Sequence, residues 1–157
     1  MSQQPTTREL PRLNPWMRYV WLLNLGWLAF QPIFDPQAGI VDWLILAALV
    51  ALFVPLFFAA FSCEDDGRLL LIVAGMAALG VAGSYWNSGA SVFVIFASAC
   101  AAFLEPMRRA VQTIAALVGV VGLMVAISPI PLPWRLVAFA PALVFTIMIG
   151  VTNLFEA

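Results

Sequence analysis

The sequence predicts an all-α, polytopic integral membrane protein with six transmembrane helices and both termini in the cytoplasm. Three observations predict it. Of the 157 residues, 64% are hydrophobic and only 10% are charged, and the mean hydropathy is +1.01. A soluble domain of this size is mostly surface and has nowhere to hide that much apolar material. The apolar residues fall into six stretches, most of them near the roughly 20 residues that a bilayer core demands of a helix. The basic residues are sorted unevenly among the gaps.

Segment 1–15 is read as a cytoplasmic N-terminal segment and 16–157 as the transmembrane domain. The first span runs from Trp16 to Phe34. It is longer than a signal-peptide core and ends in Gln31-Pro32-Ile33-Phe34-Asp35-Pro36, with no small-residue cleavage site, so it is read as a retained helix. Pro32, Pro36 and Gly39 separate it from the second span, Asp42 to Phe61. The polar run Ser62-Cys63-Glu64-Asp65-Asp66-Gly67 precedes the third, Arg68 to Trp86, and Asn87-Ser88-Gly89 makes the next turn. The fourth span, Ala90 to Glu105, is about 22 Å long at a 1.5 Å rise, so it crosses with little tilt or thins the bilayer locally. Pro106 stops it. The fifth runs from Arg109 to Ile127; Ser128-Pro129-Ile130-Pro131-Leu132-Pro133 reads as too proline-rich for a helix. The sixth runs from Trp134 to about Phe155.

Orientation follows from the seven basic residues, all Arg. With the N-terminus inside, Arg8, Arg12, Arg18, Arg68, Arg108 and Arg109 are cytoplasmic and Arg135 alone lies outside, as the positive-inside rule requires. Trp16, Trp43, Trp86 and Trp134 fall near span ends, where an indole suits the headgroup level.

Several chemistries are excluded by what the chain lacks. A net charge of −1 gives no footprint for nucleic acid. With no His, neither a His-dependent triad nor a His-ligated metal is available, and there is no phosphate-binding glycine motif. No catalytic, cofactor-binding or metal-ligating residue is assigned. Cys63 and Cys100 have no metal or pairing pattern. The eight acidic residues all map to loops or span ends, which weakens an ion-coupled carrier, since coupling needs an ionisable partner within the membrane. Uncoupled binding through amides and backbone stays open.

A few intramembrane features carry two readings each. Asn24, in the middle of the first span, is either interhelical glue or a sensing contact, because an unpaired amide in hydrocarbon is costly. Pro55 and Pro141 each remove a helical hydrogen bond and kink their spans, for packing alone or as a hinge. Asn87, at the turn before the fourth span, joins these candidates. Ala74, Ala78 and Ala82 repeat at four-residue spacing and read as intramolecular packing; Ala142, Thr146 and Gly150 repeat likewise and read as either a packing face or a dimer face.

The stretch Asn87-Ser88-Gly89-Ala90-Ser91-Val92-Phe93-Val94-Ile95-Phe96, the Ala-rich helix after it and Glu105-Pro106-Met107-Arg108-Arg109-Ala110 resemble the membrane region of DesK-like bacterial sensor histidine kinases. The opening Leu13-Asn14-Pro15-Trp16 is similar too, and the likeness covers the chain from about residue 10 to its end. The resemblance implies a membrane input module whose last helix continues into a dimeric cytoplasmic helix bearing the phosphoaccepting His, then an ATP-binding domain. It further implies a homodimer through the attached kinase, a response-regulator partner, and ATP with Mg in the kinase part alone. The chain departs from that pattern after the sixth span, so the expectation is a sensor region excised from a longer kinase. The family includes thermosensors of membrane thickness. The competing expectation is a stand-alone small membrane protein that binds or carries an apolar or lipid-like ligand.

Overall fold

Six α-helices and one 3-10 turn follow one another through the residues that the computed structural model describes, 19, 22–130 and 132–156. They are α1 (Gly26–Phe34), α2 (Ile40–Phe61), α3 (Asp66–Ser84), the 3-10 turn (Ser88–Ser91), α4 (Val92–Ala101), α5 (Met107–Ile127) and α6 (Leu132–Glu156). The all-helical class stands. Segment 1–15, with Arg8 and Arg12, and also Trp16, Arg18 and Pro131, lie outside the described residues.

The helix starts have local causes. Asp42 in the first turn of α2 accepts the Gly39 amide at 2.8 Å, so the helix begins two residues before the predicted Asp42. Asp65 caps α3 by accepting the Gly67 amide at 3.1 Å. Pro106 takes the N-cap position of α5, and Pro133 sits in the first turn of α6. There a missing N–H costs nothing, so the proline-rich linker ends earlier than its composition suggests.

Two of the six predicted spans differ. The first is interrupted at Asn24–Leu25, where the backbone bonds tighten to three-residue spacing: Leu25 N to Leu22 O, Trp27 N to Asn24 O and Leu28 N to Leu25 O. An Asn side chain competes for backbone groups and Gly26 is a poor helix former, which explains the break. The fourth shrinks to 10 residues, about 15 Å, because the chain turns at Ala102 and Phe103 ahead of Pro106. Four helical segments are long and apolar enough to cross a membrane: Ile40–Phe61, Asp66–Ser84, Met107–Ile127 and Ala138–Phe155.

Short α4 is the centre of the bundle. Val92, Phe93, Val94, Phe96, Ala97, Ser98, Cys100 and Ala101 are all buried, as befits a helix that is apolar all round. Phe53 and Phe57 of α2 meet Phe93 and Phe96, with ring centroids 4.6 Å apart for Phe53–Phe93 and 5.5 Å for Phe57–Phe96. α3 lies close because it offers glycine there: a Cβ on Gly80 would stand 2.8 Å from Val94, and one on Gly83 would stand 2.7 Å from the Ala90 Cβ. No more than 39% of any of the four long apolar windows is buried. Their remaining faces are apolar too, Leu71, Leu123 and Val144 among them, so the outer surface suits hydrocarbon rather than water.

Polar contacts tie the bundle ends. At one end the Glu105 amide donates to Asp66 at 3.4 Å, and the Asn153 amide of α6 donates to Ala99 O at 3.3 Å. The starts of α3 and α5 and the C-terminal part of α6 therefore share that end, with Arg68, Arg108 and Arg109. At the other end Gln31 of α1 accepts from the Ser88 amide and hydroxyl and donates to Trp86 O. Arg135 donates there to Ile130 O, Val125 O and Ala126 O, closing the carbonyl end of α5. The Arg that stands apart from the others thus has a local structural task.

Candidate functional site

A half-open cleft of about 270 Å³ lies between the interrupted α1 segment, the 3-10 turn with α4, and α6. Its polar side chains are Asn24 and Ser91; Trp27, Phe96 and Phe145 bring aromatic rings, and Pro141 and Ala142 form the α6 wall. Among the described residues, none that lines it is acidic or basic. The cleft exists because three local features coincide. The three-residue backbone bonding at Asn24–Leu25 precedes α1, the 3-10 turn delays the start of α4, and Pro141 with Ala142 presents little bulk on α6.

The upper rim is fixed by Asn87. Its amide donates to the backbone carbonyl of Leu28 at 2.6 Å and its side-chain oxygen accepts the Gly89 amide at 2.8 Å. Gly89 must be glycine for this approach, since a Cβ there would stand 2.6 Å from Trp27 O and 3.0 Å from the Leu28 Cα. The 3-10 turn thereby lies directly on α1. Below the cleft the Ser98 hydroxyl donates to Thr146 O at 2.7 Å, while the Thr146 hydroxyl, wholly buried, has no hydrogen-bond partner among the described residues.

Asn24 and Pro141, far apart in sequence, thus share one cavity, and Asn87 braces its edge. Pro55 is not part of this group: it is exposed on α2. Of the small-residue stripes, Ala142, Thr146 and Gly150 are buried within the chain, Gly150 against Ser98 and Ile114. Their contacts are those of a packing face. Ala74, Ala78 and Ala82 are all exposed, which corrects the expectation that this stripe packs inside the molecule; Met76, Ala77, Gly80 and Gly83 do so instead. Sequence reasoning missed Ser91, Ser98 and Gln31. The available signal was the one used for Asn24, a hydrogen-bonding side chain within an apolar run.

No hydrogen bond joins the Asn24 amide or the Ser91 hydroxyl to any described residue, although Ser91 is only 2% exposed. Asn24 is exposed at the cleft mouth and Ser91 is buried, and these two hydrogen-bonding groups, with no charged side chain among the described lining residues, suit recognition of a neutral ligand. Comparison of the chain with family models, with curated proteins and with solved structures returns no match.

Proposed function

We propose that the chain is a membrane-embedded input module, crossing a bacterial inner membrane six times with both ends in the cytoplasm. In this reading it passes a membrane-borne stimulus along α6 to an attached histidine kinase, as the resemblance to DesK-like sensors implies. The observation that carries it is the shared cleft of Asn24 and Pro141. The discontinuity of one helix faces the proline of another, so filling or squeezing the cavity acts on α6 at the position where its backbone bonding is weakest. Support for the orientation comes from the Arg distribution: Arg68, Arg108 and Arg109 belong to the bundle end shared with Asn153, and Arg135 to the other. Hydrocarbon mismatch costs fractions of a kcal/mol per Å on each span, so several spans together bias a two-state α6 by the amount a population shift requires. ATP, Mg, dimerisation and the response regulator belong to the kinase part.

The coding sequence beyond codon 157 tests this directly. Continuation into a helix with a phosphoaccepting His, and then an ATP-binding domain, is the expected result; a stop codon rejects the kinase reading. For the intact kinase, autophosphorylation in bilayers of graded acyl length should vary with thickness, and a flat response rejects thickness as the stimulus. A second reading, a stand-alone binder of an apolar or lipid-like ligand, is favoured by the same half-open cleft with its two hydrogen-bonding side chains, and a stop codon selects it.

A further inference from the structure

We propose that the cleft binds the head of a quinone-type lipid: a planar, uncharged ring carrying carbonyl oxygens, with an apolar tail left in the bilayer. This rests on the reading of the cleft as the entry point of a membrane-borne stimulus, and it names the ligand class. Four observations select it. The Asn24 amide and the Ser91 hydroxyl are free of hydrogen bonds to described residues, and both can donate, so the fitting partner offers acceptor oxygens. Among the described residues the lining holds no cation and no anion, which disfavours a phosphate or carboxylate headgroup that would enter unpaired. Trp27, Phe96 and Phe145 give aromatic walls suited to stacking on a flat ring better than to a flexible chain. A volume of about 270 Å³ falls just below the usual size of small-ligand pockets, room for a single ring rather than for a ring with its whole tail. The cleft is half-open, so a tail can leave it sideways, and the residues around it, Trp27 and Phe145 among them, expose apolar surface to the lipid.

The test uses the purified full chain in lipid nanodiscs with a photoreactive quinone analogue. Labelling is expected on peptides containing residues 24–27, 91–96 or 141–149, competed by unlabelled quinone and not by a long-chain alcohol or an anionic phospholipid. Asn24→Leu and Ser91→Ala are each expected to weaken labelling about tenfold, the loss of a well-made hydrogen bond, while Asn24→Gln keeps a donor and retains most of it. If a variant fails to fold, the competition pattern of the unaltered protein decides alone. Label that falls elsewhere, or that the alcohol displaces as well as the quinone does, overturns the proposal, as does undiminished labelling of both folded variants. None of these readouts involves phosphorylation, so the ligand assignment and the kinase reading fail separately.

Discussion

Asn87 gives Leu28 the hydrogen bond that Pro32 cannot. In an unbroken α-helix the carbonyl of Leu28 would accept from the amide four residues on, but that residue is Pro32 and has no N–H. The side-chain amide of Asn87, 59 residues away in sequence, donates to that carbonyl instead at 2.6 Å. Apolar surroundings demand such a replacement, because water is not there to make it. The pairing also explains how α1 continues past Pro32 to Phe34, the span end read from the sequence.

Replacing Asn87 by Ala strips a partner from Leu28 O and another from the Gly89 amide, both buried. The expected cost is about 2–4 kcal/mol for two stranded groups, read as a fall in thermal unfolding temperature in detergent micelles. Asn87→Asp keeps the Gly89 contact but sets a carboxylate against a carbonyl, so it is expected to be no milder. Wild-type melting for both variants would mean that the bridge bears no load.

Glycines on the last two helices make opposite predictions. A Cβ on Gly150 would stand 2.5 Å from the Ser98 hydroxyl and 3.0 Å from Ile114, and that hydroxyl is already committed to Thr146 O. Gly150→Ala therefore pushes α6 away from α4 and α5 at a cost of about 1–3 kcal/mol. Gly119 and Gly122 on α5 have nothing within 4 Å of the same added atom, so alanine there gains helix propensity, about 0.5–1 kcal/mol each. Melting curves of the three single variants check the sign of each.

Thr146 carries a hydroxyl that is fully buried and has no partner among the described residues. Thr146→Val keeps the shape and removes the orphan group, so it should raise stability by about 1 kcal/mol. The Ser98 bond runs to the backbone of Thr146 and survives the change. A lower melting temperature would show that the hydroxyl contributes to stability after all.

Span positions were legible because hydrophobicity and its interruptions report directly on the solvent. The second, third, fifth and sixth spans each lie within a few residues of α2, α3, α5 and α6, and the differences trace to caps such as Asp42 and Asp65. Which face of a helix meets protein was not legible, since lipid is as apolar as a packed neighbour. Ala74, Ala78 and Ala82 have the spacing of Ala142, Thr146 and Gly150, yet one stripe faces outward and the other packs on α4. The cleft was half legible: Asn24 and Pro141 stood out individually, but their meeting depends on where α1 breaks and how late α4 starts. Ser91 was hidden because a small hydroxyl in an apolar run is ordinarily absorbed by the local backbone.

The two cysteines make a topology probe that needs no mutation. Cys63 is partly accessible in the loop between α2 and α3, where its thiol donates to Asp65 O at 3.3 Å, and Cys100 is buried in α4. A maleimide should therefore react at Cys63 and spare Cys100 in the folded protein. Cys63 lies beside Asp66, which contacts Glu105, so its side of the membrane is also the side of Arg68, Arg108, Arg109 and the end of α6. With that end in the cytoplasm, a membrane-impermeant maleimide leaves intact spheroplasts unlabelled and reacts after permeabilisation. Labelling of intact spheroplasts would reverse the orientation, place three Arg outside the cell, and remove the route by which α6 reaches an intracellular kinase.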